Sequence, residues 1–219
     1  MNSQTKTKTN TSINDETKFA HSGDVSLPKS GFVSTPIIQS SLFYKEHPLE
    51  ENEYEYSRSA NPTRKSLENC IRELEGGDYG FCFSSGVAAI HAACSLLKSG
   101  EEIILQERSY LGSNRIINFL GSQYGILVKR VNYSNSEAIL NVITSKTKLI
   151  WVETPSNPLL DVVDLEDLDR KLTDRGIRSN VMISVDNTFA TPFFQKPLYH
   201  GADIVVHSAS KYLGGHSDA

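Results

Sequence analysis

The segment Val181-Met-Ile-Ser-Val-Asp-Asn-Thr188 carries the pattern that decides the fold. Its first five residues are apolar or small and predict a buried strand, and Asp186 follows where that strand should end. Lys148-Leu-Ile-Trp-Val-Glu153 and Asp203-Ile-Val-Val-His207 repeat the arrangement, with an apolar run followed by a polar side chain. Strands that are apolar on both faces are typical of a parallel sheet covered by helices on both sides.

Helical and strand patterns alternate along the chain on either side of these segments. Further strands are predicted at residues 79–83, 102–105 and 125–131. Helices are predicted at residues 63–75, 87–97, 113–123 and 135–144, and Asp164 is expected to cap another. Alternation of this kind predicts an α/β fold with a mostly parallel sheet flanked by helices.

The composition excludes several functional classes. The chain has 219 residues, a net charge of -4, 38% hydrophobic residues and 22% charged residues, which is typical of a globular protein. The acidic balance argues against a general nucleic-acid-binding protein. No apolar run reaches the roughly 18 residues of a membrane span, and the N-terminus lacks a secretory signal, so we expect a cytoplasmic protein. The cysteines and histidines show no ligand spacing, and no metal site is predicted.

The chain is expected to have three segments. Residues 1–27 are polar and predict a disordered tail, because they cannot bury enough apolar surface to offset the entropy of ordering. Residues 28–63 contain four prolines and little periodicity, which predicts an extended arm. Residues 64–219 are predicted to form the regular α/β domain.

Candidate functional side chains follow the predicted strands, where ligands of open α/β sheets bind. Asp186 could hold a protonated heterocyclic nitrogen, although Asp is also a common turn or cap residue. Lys211 lies between small residues and could form an imine, although most lysines are solvated surface residues. Ser208 and Ser210 beside it offer hydroxyl donors for phosphate oxygens.

Three loops add further candidates. Gly86, after Ser84-Ser85, opens a predicted helix whose free N–H groups would favour an anion, unless this is an ordinary tight turn. Asn157 lies between two prolines and could bind a ligand or simply form a turn. Tyr56 and Arg58 suit a phosphate, although Arg58 could instead be a surface charge on a loop. A Schiff-base lysine, an acidic partner for a pyridine nitrogen and a phosphate cup are the requirements of pyridoxal phosphate, which is therefore the predicted cofactor.

Five motifs occur in order from about residue 36 to the last residue. They are Tyr56-Ser-Arg-Ser-Ala-Asn-Pro-Thr63, Ser84-Ser-Gly86, Glu153-Thr-Pro-Ser-Asn-Pro158, Asp186-Asn-Thr-Phe-Ala-Thr-Pro192 and Ser208-Ala-Ser-Lys-Tyr-Leu-Gly-Gly-His-Ser-Asp218. With these motifs the sequence resembles the pyridoxal-phosphate enzymes of cysteine and methionine metabolism. That family includes cystathionine γ-synthase, cystathionine β- and γ-lyases, methionine γ-lyase and the homoserine sulfhydrylases. The resemblance implies the large domain of a fold-type I pyridoxal-phosphate enzyme.

The resemblance also implies roles for single residues. Lys211 would bind the cofactor as a Schiff base and move the substrate α-proton, and Asp186 would pair with the pyridine nitrogen. The resemblance places the phosphate against Gly86, Val87, Ser208 and Ser210. Val87 departs from the Met or Leu usual in the family, and Ser210 stands where Thr is common.

Other implied contacts surround the cofactor ring and cross to a second subunit. Tyr110 would stack on the ring and could assist the leaving group, Asn157 would lie near the ring hydroxyl, and Thr188 is included among the cofactor-binding residues. Tyr56 and Arg58, at the end of the arm, would reach the phosphate of a neighbouring subunit. The resemblance therefore implies a homo-oligomer, a dimer or a tetramer, with a shared active site.

The implied function is a pyridoxal-phosphate-dependent trans-sulfuration enzyme that acts on small sulfur amino acids. It would be a cystathionine-type C–S lyase or a γ-synthase, using β/γ-elimination or γ-replacement, and the motifs do not separate these reactions. Family members continue into a small C-terminal domain with an arginine for the substrate carboxylate, and we expect this domain to be absent here. The alternatives are therefore a truncated, catalytically silent homologue or interaction subunit, and an aminotransferase of the same fold.

Overall fold

The computed structural model of the protein describes residues 14–21, 34–133 and 135–217. The chain divides into two compact units, residues 1–74 and residues 75–219. In chain order the helices and strands are α1 (Asp15–His21), α2 (Pro62–Glu75), α3 (Gly86–Cys94), β1 (Glu102–Gln106), α4 (Leu111–Tyr124), β2 (Leu127–Val131), α5 (Ser136–Leu140), β3 (Thr147–Glu153), α6 (Leu165–Asp174), β4 (Met182–Asp186), α7 (Thr191–Phe194) and β5 (Ile204–Val206).

The first unit contains α1 and most of α2. The prediction of a disordered tail is corrected for Asp15–His21, which form a helix whose third N–H, that of Thr17, is bound by the Asn14 side chain at 2.9 Å. The rest of the predicted tail lies outside the described residues. Within residues 34–61 the described backbone makes one isolated antiparallel bridge, between Leu42 and Tyr56.

The start of α2 binds the backbone of the preceding arm. The Thr63 hydroxyl accepts the Ile38 N–H at 2.9 Å and donates to the Pro36 carbonyl at 2.8 Å, while the Asn61 amide donates to the Ile38 carbonyl at 3.0 Å. The compact unit that contains the arm extends through α2 to Leu74, whereas the sequence predicted a domain that begins at residue 64.

The second unit is built on a five-stranded sheet in the order β2-β1-β3-β4-β5, and every pair of neighbours is parallel. The predicted α/β fold is confirmed. The chain runs outward from β1 to β2, crosses back to β3 and continues to β5 in the other direction. The order therefore reverses between β1 and β3, and this is where open α/β sheets bind their ligands, beyond the carboxyl ends of the strands.

Successive side chains of each strand point to opposite faces of the sheet. One face packs against α3 and α4 and includes Ile103, Leu105 and Trp151, which are fully buried. The other packs against α5 and α6 and includes Ile104 and Ile150. Two cores of this kind explain why the strands have near-continuous apolar sequences.

Two predicted elements differ from the structure. Residues 79–83 form no strand, and Tyr79, Phe81 and Phe83 are exposed. The segment has the apolar residues of a strand, but β-structure also needs a ladder partner, and none of the described strands pairs with it. The helix predicted at residues 135–144 ends at Leu140 with Asn141 as its C-cap, and the β-branched residues Val142, Ile143 and Thr144 that follow have a slightly lower helix propensity. No helix among the described residues is both long and apolar enough to cross a membrane.

Candidate active site

Two carboxylates end adjacent central strands. Asp186 is the last residue of β4 and Glu153 the last residue of β3, and they are paired in the parallel register. Both side chains are buried. Burial raises the pKa of Asp186, and hydrogen bonds from Thr188 together with the nearby His207 offset part of the rise. Two acidic groups thus lie beside each other in a poorly solvated position, where an opposite charge on a ligand would be strongly favoured.

Glu153 connects two loops that the sequence assigned to the site. Its Oε2 accepts the backbone N–H of Tyr110 at 2.6 Å, and its Oε1 accepts the backbone N–H of Asn157 at 2.7 Å. Burial raises the pKa of Glu153 to about 7, these two hydrogen bonds lower it, and the charge of Asp186 raises it further. Glu153 was not among the site residues predicted from the sequence, although it ends an apolar run in the same way as Asp186.

Lys211 is exposed and lies in the turn that follows β5. Its N–H donates to the Ser208 carbonyl at 3.1 Å, and its own carbonyl accepts the Gly215 N–H at 2.8 Å. The half-buried Ser210 belongs to the same turn. The turn that carries Lys211 is thus fixed by backbone hydrogen bonds and follows β5, whose last residue, Val206, is the register partner of Asp186.

Thr188 joins the Lys211 turn to the Asp186 carboxylate. The Thr188 hydroxyl accepts the Ser208 N–H at 2.9 Å, and the Thr188 N–H donates to Asp186 Oδ1 at 3.1 Å. One chain of hydrogen bonds thus couples the end of β4 to the turn after β5. Thr188, Ser208 and Asp186, three of the predicted cofactor-binding residues, form one connected set.

The start of α3 approaches this turn closely. A Cβ atom placed on Gly86 would lie 3.0 Å from the Ser208 Cβ and 3.1 Å from its Oγ, so the position has no room for a larger residue unless Ser208 moves. Ser85 caps the helix by accepting the Ala88 N–H at 3.1 Å. The first free N–H groups of α3 and the Ser208 hydroxyl consequently lie together, as a phosphate cup requires.

Tyr110 is half-exposed at the start of α4 and borders an open cavity of about 440 Å³. Val87 and Phe119 line the same cavity. The Tyr110 ring lies against Gly112, where an added Cβ would be 2.3 Å from a ring carbon. Gly112 therefore allows the ring to occupy its position.

A buried polar network behind the Lys211 turn was missed by the sequence analysis. His207 Nε2 and Glu75 Oε1 are 2.5 Å apart, and the Asn187 amide donates to the same Glu75 oxygen at 2.8 Å. The His207 and Glu75 side chains are only 5% and 4% exposed. This contact could not be predicted from neighbouring sequence, because 132 residues separate His207 and Glu75.

Tyr56 and Arg58 lie in the first unit. The Arg58 guanidinium lies 4.3 Å from the centroid of the half-buried Tyr56 ring, a cation–π contact that holds the exposed arginine in a defined position.

In the described ranges, no group of three or more His, Cys, Asp or Glu side chains is placed to hold a metal ion.

Comparisons with known proteins identify the family of this chain. The family model described as Cys/Met metabolism PLP-dependent enzyme matches residues 16–219. A cystathionine beta-lyase of Lactococcus lactis subsp. cremoris is 47% identical over 204 residues, which are 93% of this chain and 52% of the relative. A cystathionine gamma-synthase/O-acetylhomoserine (thiol)-lyase of Bacillus subtilis is 41% identical over 93% of this chain and 53% of its own length.

The structural comparison gives the same result. The crystal structure of a cystathionine gamma-lyase from Lactobacillus plantarum, complexed with L-serine, superposes with a TM-score of 0.88 and 40% identity. The match covers 94% of this chain and 53% of that chain. The chain thus spans about half the length of these relatives. Because the family model covers nearly the whole sequence and the fold agrees, the chain belongs to the family of pyridoxal-phosphate-dependent enzymes of cysteine and methionine metabolism.

Proposed function

We propose that this chain provides the cofactor-binding part of a trans-sulfuration enzyme that cleaves or forms C–S bonds in small sulfur amino acids. The main support for this proposal is a chain of hydrogen bonds. It joins Asp186 through Thr188 to Ser208, and so to the turn that bears Lys211. It supports a single site in which an amine and a buried carboxylate act on one ligand.

The residues present fit pyridoxal phosphate in three respects. Lys211 offers an exposed amine for covalent attachment. Asp186 offers a buried carboxylate that gains from pairing with a cation, as a protonated pyridine nitrogen would be. Gly86 and Ser208 approach so closely that helix N–H groups and a hydroxyl can face one phosphate. Ser210 and Val87 complete the proposed cup.

When bound, the cofactor would supply an electron sink for the negative charge left by removal of the substrate α-proton. Asp186 would keep the pyridine nitrogen protonated, and its Thr188 hydrogen bond would fix the direction of the carboxylate. Lys211 would hold the cofactor, and its free Nζ would accept the substrate α-proton. Tyr110 would cover the ring, and Asn157 would lie near the ring hydroxyl.

The reaction itself is proposed at the level of its class. Elimination and replacement both begin with removal of the α-proton, so the residues described here would serve either. The printed names of the relatives include a β-lyase, a γ-lyase and a γ-synthase with thiol-lyase activity. We propose β/γ-elimination or γ-replacement on a cystathionine-like amino acid, with products that distinguish the two.

The arm is proposed to complete the site of a neighbouring subunit. Arg58 is exposed and is held against the Tyr56 ring, which presents a guanidinium and a phenol on one surface. A planar guanidinium is suited to phosphate oxygens. We therefore propose a homo-oligomer in which Tyr56 and Arg58 of one copy contact the phosphate bound to another.

Borohydride reduction tests this proposal. The protein is mixed with pyridoxal phosphate, reduced and digested, and the peptides are weighed by mass spectrometry. A phosphopyridoxyl group on the Lys211 peptide is expected, with none in Lys211→Ala and an unchanged amount in Lys98→Ala, which removes an exposed lysine before β1. Absence of the Lys211 adduct in the unmodified protein would exclude the enzyme hypothesis and favour a silent homologue.

The substrate class is tested with the same preparation. Cystathionine should yield pyruvate and homocysteine by β-elimination, or 2-oxobutyrate and cysteine by γ-elimination, with ammonia in both cases. An activated homoserine ester with cysteine should yield cystathionine if γ-replacement operates. Asp186→Asn should retain the Lys211 adduct but lower kcat by roughly a hundredfold, the loss typical of removing one preorganised electrostatic partner. An aminotransferase would instead produce an oxo acid without thiol or ammonia.

A further inference from the structure

We propose that Glu153 is a positioning residue whose two carboxylate oxygens hold Tyr110 and Asn157 in place on either side of the cofactor site. The proposal rests on the proposed function, because it assigns these two residues to the cofactor ring. It adds a residue that the resemblance did not select, and it explains how two loops from distant parts of the sequence keep one arrangement.

Each carboxylate oxygen of Glu153 accepts a hydrogen bond from a different loop. Oε2 accepts the Tyr110 N–H at 2.6 Å, and Oε1 accepts the Asn157 N–H at 2.7 Å. Both donors are backbone groups, so the phenol ring of Tyr110 and the side-chain amide of Asn157 are not consumed by these bonds. A single carboxylate therefore fixes two backbone positions while both side chains stay available for a ligand.

The position of Glu153 in the sheet makes this connection effective. Tyr110 follows β1 and Asn157 follows β3, so the two loops flank the point where the strand order reverses. Glu153 also donates its own N–H to the Gln106 side chain at the end of β1, at 3.3 Å. Because Tyr110 is the N-cap residue of α4, holding its N–H fixes the point where that helix begins.

A carboxylate is needed for this double contact. Each of its oxygens accepts a hydrogen bond, whereas a glutamine offers one oxygen and would turn an N–H group toward the other donor. Keeping a carboxylate in this buried place is costly, since Asp186 ends the neighbouring strand. A group retained at such a cost is consistent with a role at the site.

Glu153→Gln and Glu153→Asp test the proposal, with Glu102→Gln as the matched control. Glu102 is also a buried, hydrogen-bonded glutamate, but it is the first residue of β1. It therefore lies at the amino ends of the strands, away from the carboxyl ends where Glu153 lies. Two readouts report on the cofactor and not on folding alone. One is the visible circular dichroism of the bound cofactor, and the other is quenching of Trp151, the chain's one tryptophan, during titration with pyridoxal phosphate.

We expect Glu153→Gln to weaken pyridoxal phosphate binding by about tenfold or more, and to change the visible circular dichroism, since glutamine accepts only one of the two hydrogen bonds and leaves the other N–H group unpaired. Glu153→Asp keeps the charge but cannot reach both N–H groups, so it should show the same change in the spectrum with a smaller loss of binding. Glu102→Gln should retain the wild-type spectrum and affinity. If Glu153→Gln does not fold, Glu153→Asp decides the question.

A double-mutant cycle with Tyr110→Ala identifies the route of the effect. The Tyr110 backbone N–H survives this substitution, but the ring that Glu153 is proposed to position is gone. Glu153→Gln should therefore cost less binding in Tyr110→Ala than in the unmodified protein. Equal losses in both backgrounds, or an unchanged spectrum and affinity in both Glu153 variants, would overturn the proposal. If the unmodified protein forms no Lys211 adduct, the proposed function itself fails, which is a separate result.

Discussion

Glu153 and Asp186 are register partners at the carboxyl ends of β3 and β4, and both carboxyl groups are buried. Their proximity has two consequences. A cationic nitrogen bound beside the two groups would stabilise their ionised form. Their proximity also makes ionisation of the unliganded site unfavourable, since burial and mutual repulsion both oppose negative charge.

The first prediction concerns the stability of the cofactor-free protein between pH 4.5 and about 7. The ordinary pKa of Glu153 is 4.5, and burial raises it to about 7 in the fold. The folded state therefore binds more protons than the unfolded state in this range, so stability should fall as pH rises through it. At low pH the protonated Glu153 contributes about 3 kcal/mol to the free energy of unfolding, relative to high pH. This contribution is fully lost once the pH exceeds the pKa of Glu153 in the folded state.

Urea unfolding at several pH values measures this slope. Glu153→Gln should flatten the decline, while the remaining decline reports Asp186, whose pKa burial also raises. Glu102→Gln is the control. Although burial opposes it, hydrogen bonds from Thr147 and Lys129 hold the pKa of Glu102 below its ordinary 4.5, so its contribution changes at lower pH. A wild-type slope in Glu153→Gln would contradict the assignment.

The second prediction compares two histidine–glutamate pairs of different burial. His207→Ala should destabilise the protein by about 3 kcal/mol, because it leaves the Glu75 carboxylate buried without that partner. His200 Nδ1 lies 2.7 Å from Glu166 Oε1, but these side chains are 41% and 72% exposed. His200→Ala should cost less than about 1 kcal/mol.

Chemical denaturation of both variants at one pH checks the comparison. Similar losses in the two variants would show that burial does not decide the strength of the His207 contact. His207→Ala should also weaken cofactor binding more than His200→Ala, since His207 directly precedes the Ser208 turn.

The third prediction concerns Tyr133, whose hydroxyl lies between the two central strands. It is 3.0 Å from the Ile104 carbonyl on β1 and 3.1 Å from the Trp151 carbonyl on β3, and burial raises its pKa well above 10.0. Tyr133→Phe removes this donor and should cost about 1 kcal/mol in the free energy of unfolding. Tyr124→Phe changes an exposed ring and should have no measurable effect. An equal loss in both would mean that the buried hydroxyl contributes nothing specific.

Local patterns explain which parts of the fold the sequence could predict. β3, β4 and β5 were found because their apolar runs are long enough to be buried on both faces, and α6 because Asp164 caps it and binds the Asp167 N–H at 2.9 Å. Residues 79–83 were assigned wrongly since a strand depends on a partner elsewhere in the chain. Local composition does not specify that partner.

The same distinction applies to the site. Asp186 and Lys211 were selected because each follows a strand, a relationship visible in the sequence. Glu153 met the same criterion and was still overlooked. His207 was not selected, because its partner Glu75 lies 132 residues away and only the folded chain brings them together. Strand ends are therefore predictable positions, whereas the contacts made there require the tertiary structure.

The last prediction addresses the contact between α3 and the Lys211 turn. A Cβ on Gly86 would lie 3.0 Å from Ser208 Cβ, 3.1 Å from its Oγ and 3.2 Å from its Cα. Gly86→Ala should therefore push Ser208 away, costing about 1 kcal/mol in stability and weakening phosphate binding. Ser208→Gly removes two of the three crowded atoms, so Gly86→Ala should cost less in that background than alone. Thermal unfolding of the four proteins gives the coupling, and strictly additive losses would show that the two residues do not share this space.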